Sequence, residues 1–229
     1  MVRPTENSYD DPDFMAAQVT AGQHREVIGG LWDQIGLLQL DFLRAQGLLP
    51  NHHMLDLGCG SLRGGVHFVR YLDAGRYHGL DSNQSLLDVG YETELAVVGL
   101  QDRLPRSNLF CNPDFFLPVE DGFFDIGIAQ SVFTHLTFNS IRRCLEMVAP
   151  KFREGAVLYA TFFELPGQLT ACSEYVRDRG GVVTYGHKDP YHYRYGDMQQ
   201  AALGAPWRVR RIGDWGHPRS QAMLAFERT

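Results

Sequence analysis

The stretch MLDLGCGSLRGGVHF, Met54 to Phe68, places an acid, Asp56, two residues ahead of Gly58, with Gly60, Gly64 and Gly65 close behind. Glycine lets a backbone turn tightly and approach a ligand, so an apolar strand, a glycine turn and a helix in this order build a cradle from main-chain amides. The spacing Gly58, Gly60, Gly64 is one residue longer than the G-x-G-x-x-G pattern that holds a dinucleotide pyrophosphate. An acid directly beneath the loop repels a dianion and suits a cationic ligand. A second acid, Asp81 in GLDSN, follows about twenty residues later. Asp56 and Asp81 also have the plainer reading of turn caps, which is ordinary for one Asp and less so for two at strand ends around a glycine loop.

Other chemistry-bearing residues lie further on. His135 in SVFTHL brings a side chain that titrates near neutral pH. Glu164, His187, Tyr191, His192, Tyr193 and His217 are polar groups that could converge on a small substrate. GHKDPYHYRY holds His187, Asp189 and His192, which raises metal binding, but three candidates on a loop lack a supporting scaffold; the reading is an aromatic-rich lid and no metal. The four cysteines, Cys59, Cys111, Cys144 and Cys172, form no Cys-x-x-Cys pair, so neither a zinc site nor a disulfide framework is signalled. Cys59 between two glycines reads as small packing under the loop in preference to a reactive thiol.

These residues need elements to position them. Residues 1–13 carry prolines and acids without periodicity and read as a flexible arm. Residues 14–50 form a helical lead-in, with Leu31, Ile35, Leu38, Phe42 and Leu43 on one stripe; Trp32 belongs to its packing, with cover over a ligand as the alternative for Trp32 and His24. Strand and helix then alternate: HMLDLGC, LRGGVHFVRYL, YHGLDS, SLLDVGYETELAVVGL, NLFCN, FDIGIAQS, NSIRRCLEMVAPKF and AVLYATFFE. This alternation implies an α/β fold, a Rossmann-like doubly wound sheet, mostly parallel. WRVRRIGDW and QAMLAFER, joined by GHPRS, close it with an antiparallel hairpin. Residues 14–229 are expected as a single domain, with 165–200 as a lid or substrate insertion.

Composition narrows the partners. The chain has 229 residues, a net charge of -6 and 44% hydrophobic residues, which is ordinary globular usage. An acidic chain has no general attraction to nucleic acid or anionic lipid, and no run reaches membrane-span length. The polar, acidic start is unlike a signal peptide, so a cytoplasmic protein acting on a small molecule, as monomer or homodimer, is the expectation.

LDLGCG resembles the first motif of class I S-adenosylmethionine-dependent methyltransferases, departing where Leu62 stands in place of the usual glycine. GLDSN, CNPDF and FDIGIAQSVFTHL are similar to the later motifs in the expected order, and the final hairpin is typical of that fold; QSVFTHL and ATFFE look like small-molecule methyltransferases. The resemblance implies S-adenosylmethionine as cofactor, with Asp56, Gly58, Cys59 and Gly60 around it, Asp81 and Ser82 at its ribose, Asp114 and Phe115 at its adenine, and Gln130 and Ser131 at the transfer site. Arg63 either binds the methionine carboxylate or points to solvent. His135 then becomes the catalytic base for an oxygen or nitrogen acceptor, with helix capping as its bland alternative. Glu164, Tyr191, His192, Tyr193 and His217 would line the substrate. A nicotinamide oxidoreductase shares the strand, glycine and helix unit, and a cofactor-binding scaffold without turnover is a third reading. AQSVFTHL stands where base-methylating relatives carry an Asn/Asp-Pro-Pro-aromatic stretch, which argues against a nucleic-acid acceptor.

Overall fold

A computed structural model describes Asn7, Tyr9 and residues 11–229. The arm expected at 1–13 falls mostly outside the described residues; within it, the Tyr9 hydroxyl donates to the Val27 carbonyl (2.9 Å), and the Tyr9 carbonyl accepts from the Asn83 side-chain Nδ2 (3.0 Å). The chain divides into two compact units, residues 1–113 and 114–229.

In the first unit, α1 (Pro12–Thr20) starts where Asp11 accepts from the Asp13 and Phe14 amides and Pro12 supplies a preset φ. After α2 (His24–Val27), Gly29, Gly30 and Leu31 all take positive φ, which breaks the lead-in before α3 (Trp32–Ala45). Leu31 therefore does not join the apolar stripe: it sits in the break with its side chain exposed, and the buried face of α3 is Ile35, Gly36, Gln39 and Leu43. Next come β1 (Met54–Leu57), α4 (Gly65–Tyr71), β2 (Tyr77–Asp81), α5 (Gln84–Val89) running into a π-helical turn at Gly90–Leu95, and β3 (Leu109–Cys111). β2 lies between β1 and β3, parallel to both, with Asp56 opposite Gly79 and Asp81 opposite Cys111. All four residues of β1 are buried, as a central parallel strand requires.

In the second unit, β4 (Phe124–Ala129) and β5 (Phe152–Glu164) are parallel, joined through α6 (Phe138–Val148). The Thr137 hydroxyl accepts from the Ser140 amide and caps α6, which buries Ile141, Cys144, Leu145 and Val148. A short antiparallel pair, β6 (Tyr175–Val176) and β7 (Val183–Thr184), precedes β8 (His192–Tyr193), which adds alongside the end of β5. After α7 (Tyr195–Ala202), β9 (Trp207–Asp214) pairs with β10 (Ala222–Arg228), and β10 runs antiparallel beside β5. Edge-to-face rings of Phe152, Trp207, Phe226 and Phe133 fill the core, and the Trp207 indole donates to the Leu145 carbonyl (2.9 Å). The fold is α/β, mostly parallel and finished by an antiparallel strand pair, as the alternation in the sequence implies. Among the described residues no helix is long and apolar enough to cross a membrane.

Candidate functional site

The first unit gathers Asp56, the glycine turn and Asp81. Gly58 and Gly60 take φ of +70° and +53°, the left-handed region where glycine is unstrained. The Gly60 amide donates to Asp81 Oδ2 (2.8 Å) and the Asn83 amide to Asp81 Oδ1 (2.9 Å), so the acid at the tip of β2 braces the turn after β1. Asp56 is buried and accepts from the Tyr77 hydroxyl (2.7 Å). Burial pushes its carboxyl up to about 7, aided by the Asp81 charge, against the Tyr77 hydrogen bond and the Arg63 charge. Burial also raises Asp81, although backbone amides work the other way. Among the described residues neither acid has a lysine or arginine within ion-pair distance.

Leu62 explains the departure from the glycine pattern. Its φ is +68°, the conformation for which glycine is usual, yet its side chain is fully buried. A Cβ on Gly65 would lie 2.9 Å from Leu62 Cβ, and one on Gly90 would lie 2.7 Å from Leu62 Cγ. The two glycines make room for a leucine that keeps the turn at the cost of backbone strain. Cys59 packs against the backbone of Gly79, where a Cβ would come within 2.8 Å of its sulfur, and burial pushes its thiol well up, which leaves packing and not reactivity as its role.

Arg63 does not point to solvent. It is buried, and one of its nitrogens donates to the carbonyls of Ile28 (3.1 Å) and Gly30 (2.8 Å), so it ties the glycine turn to the break in the lead-in. His24 and Arg25 close the same corner on Glu94, a buried acid in the π-helical turn that spacing did not flag: His24 Nε2 lies 2.6 Å away, and Arg25 donates to both oxygens at 2.8 and 2.6 Å. Burial opposes the Glu94 charge, but these partners hold its carboxyl below the usual range. Trp32 packs under the Arg25 guanidinium, 4.5 Å from its ring centre. Ser82 is exposed and its hydroxyl accepts from Asn83 (3.1 Å).

The second unit holds the remaining candidates. Asp114 is exposed and pairs with Arg143 (2.9 Å); Phe115 follows with φ +63°. Gln130 and Ser131, just past β4, enter a closed polar cluster. The Ser131 amide donates to the Thr161 hydroxyl (2.7 Å), its own hydroxyl meets both ends of the Gln221 amide (3.0 and 2.8 Å), and Gln130 reaches Ser131 (2.7 Å) and His217 (3.1 Å). His217 is fully buried, with Nδ1 accepting from the Arg219 amide (3.1 Å) and Nε2 beside the Gln130 side-chain nitrogen.

His135 does not cap α6, because Thr137 does. Its Nδ1 lies 2.6 Å from Asp189 Oδ1, with both side chains partly buried. A carboxylate on Nδ1 fixes the tautomer and leaves Nε2 as the basic atom. Asp189, considered from sequence only as part of a metal cluster, is thus the partner of the proposed base, 54 positions away along the chain. The end of the Tyr/His run is tied down: the Tyr191 amide donates to the Thr134 carbonyl (2.7 Å), the Tyr193 hydroxyl donates to the Leu136 carbonyl (2.6 Å), and both rings are buried and stacked. His192 is buried within β8, its ring nitrogens engaged by Thr184 (3.1 Å) and the Ala171 carbonyl (3.1 Å). Glu164 ends β5 in a bidentate pair with Arg211 (2.9 and 2.8 Å). Among the described residues no group of three His, Cys, Asp or Glu side chains is placed to hold a metal ion.

Several solved structures share this architecture. Magnesium protoporphyrin IX methyltransferase from Synechocystis PCC 6803, solved with bound S-adenosylmethionine, aligns over 100% of both chains at 13% identity with a TM-score of 0.67. A methyltransferase from Aquifex aeolicus aligns over 83% of this chain and 89% of its own at 15% identity and 0.61. The chain has the fold of S-adenosylmethionine-dependent methyltransferases. The [4+2]-cyclase SpnF also shares it, over 100% of this chain and 99% of its own, at 13% identity and a TM-score of 0.66. No protein-family profile matches the sequence.

Proposed function

We propose that the chain transfers a methyl group from S-adenosylmethionine to an oxygen or nitrogen of a small polar acceptor. The observation that carries this is the pair Asp56 and Asp81. Both carboxyls are held above their ordinary range by desolvation at the tips of adjacent parallel strands, under a glycine turn, without an ion-pair partner among the described residues. A cationic ligand relieves that cost, whereas a dinucleotide pyrophosphate adds to it. S-adenosylmethionine fits this donor set, with its amine and sulfonium suited to the acids and its ribose hydroxyls to Asp81. When bound, it supplies an electrophilic methyl on a positively charged sulfur that leaves as a neutral thioether.

The chain's own residues do the rest. Gly58 and Gly60 bring the backbone close, and Asp81 fixes the turn through the Gly60 amide. The resemblance assigns Asp114 and Phe115 to the adenine, and Gln130 and Ser131 to the transfer site. In the second unit Asp189 orients His135, whose Nε2 takes the acceptor's proton as the new bond to carbon forms.

Isothermal titration with S-adenosylhomocysteine and with NAD tests the reading. Micromolar binding of the first and none of the second is expected; the reverse overturns it. Once an acceptor is found by following S-adenosylhomocysteine release, His135→Gln is expected to lower kcat about 100-fold or more while leaving S-adenosylhomocysteine affinity unchanged. Unchanged kcat removes His135 from the mechanism.

A further inference from the structure

A pocket of about 350 Å³ opens within the second unit where β5 ends. Its charged walls are mostly neutralised in pairs: Glu164 with Arg211 (2.8 Å) and Asp214 with Arg179 (2.6 Å). Arg177 is different. Its side chain is almost wholly buried, and no carboxylate among the described residues comes within ion-pair distance. It donates through Nη1 to the Glu164 carbonyl (2.6 Å) and through Nε and Nη2 to the Thr184 hydroxyl (3.2 and 2.9 Å). The rings of Phe163 and Tyr175 lie 4.8 and 4.7 Å from its guanidinium carbon. A guanidinium has five N–H groups, so two remain without an acceptor among the described residues. A buried cation left this way is costly, and the cost falls when an anion enters beside it.

We infer that this pocket binds a carboxylate of the small-molecule acceptor through the Arg177 guanidinium. Three arginines balance three acids in the lining, so attraction comes locally from the Arg177 guanidinium, and Glu164, Asp178 and Asp214 oppose the second charge of a phosphate dianion. The fork of a guanidinium also matches the two oxygens of a carboxylate. Gln221 connects the pocket to the end of β4. It lines the wall while its amide bonds Ser131 and Thr161, so an acceptor anchored at Arg177 touches the same polar cluster that sequence motifs placed at the transfer site. Calling the ligand a methyl acceptor rests on the proposed function; the carboxylate site itself does not.

The test is binding, read without turnover. Sodium benzoate, its neutral counterpart benzamide and inorganic phosphate are titrated at constant ionic strength into the full chain, with the Arg Nε–H resonances and calorimetric heat as readouts. Benzoate is expected to bind in the millimolar range and to shift one arginine resonance, with benzamide and phosphate at least about tenfold weaker. Arg177→Gln is expected to abolish benzoate binding and Arg177→Lys to weaken it. Retained S-adenosylhomocysteine binding in either variant shows that the fold survives. Equal binding of benzoate and benzamide, stronger binding of phosphate, or benzoate binding that persists in Arg177→Gln overturns the inference. S-adenosylhomocysteine binding without benzoate binding removes the subsite and leaves the methyl-transfer reading standing. Benzoate binding without S-adenosylhomocysteine binding does the opposite.

Discussion

Asp56 shows what one residue can report. Its carboxyl titrates near 7 in the folded chain and near 3.8 in the unfolded one. Between those values the folded chain keeps a proton that the unfolded chain has lost, so stability falls as pH rises through that window and is flat above it. Asp56→Asn stays neutral throughout. Urea midpoints at pH 5 and pH 8 are therefore expected to differ less for the variant than for the wild type, and an equal difference removes Asp56 as the cause. Leu62 offers a second check. Leu62→Gly relieves about 1–2 kcal/mol of left-handed strain but empties a buried site worth about 2–5 kcal/mol, so a net loss of up to about 4 kcal/mol is expected in chemical denaturation. A gain in stability would mean that the strain outweighs the packing. The acids and glycines were legible in the sequence because strand tips and turns have local signatures. The room for Leu62 was not, because it depends on Gly65 and on the more distant Gly90, whose missing side chains are felt only once the chain has folded.

Elements carry the next layer. The break at Gly29, Gly30 and Leu31 separates α2 from α3, and Arg63 receives its two carbonyl partners from that break. α2 in turn delivers His24 and Arg25 to Glu94, which the π-helical turn holds buried. Removing the acid leaves these partners without a countercharge. Because the Arg25 side chain is about half exposed, the loss on Glu94→Ala is expected below the 3–5 kcal/mol of a fully buried pair, at about 2 kcal/mol, with faster tryptic cleavage at Arg25. Unchanged cleavage would show that α2 is held by other bonds. The strand and helix alternation was legible because hydrophobic period is a local signal. The anchoring of the Tyr/His run was not: β8 pairs with β5 from 29 positions away, and Asp189 meets His135 from still further, so that stretch looks like a loop until its partners are in place.

For the whole molecule, fold and reaction are separate matters. A methyltransferase and a cyclase both share this architecture, so the architecture alone does not choose the chemistry, and the choice must be read from what the chain binds. Ligand that binds only the folded chain stabilises it by about 2.7 kcal/mol at a hundredfold excess over Kd. For a chain of 229 residues, each kcal/mol raises Tm by about 2–4 °C, so S-adenosylhomocysteine at that excess is expected to raise Tm by roughly 5–10 °C. NAD at the same concentration is expected to leave it unchanged, because its pyrophosphate would have to sit beside Asp56 and Asp81. In Asp81→Ala the S-adenosylhomocysteine shift should shrink, since the turn loses its brace and, under the proposed function, the ribose its carboxylate. A full shift in that variant would place the ligand elsewhere on the chain, and the two strand-tip acids would then be features of folding alone.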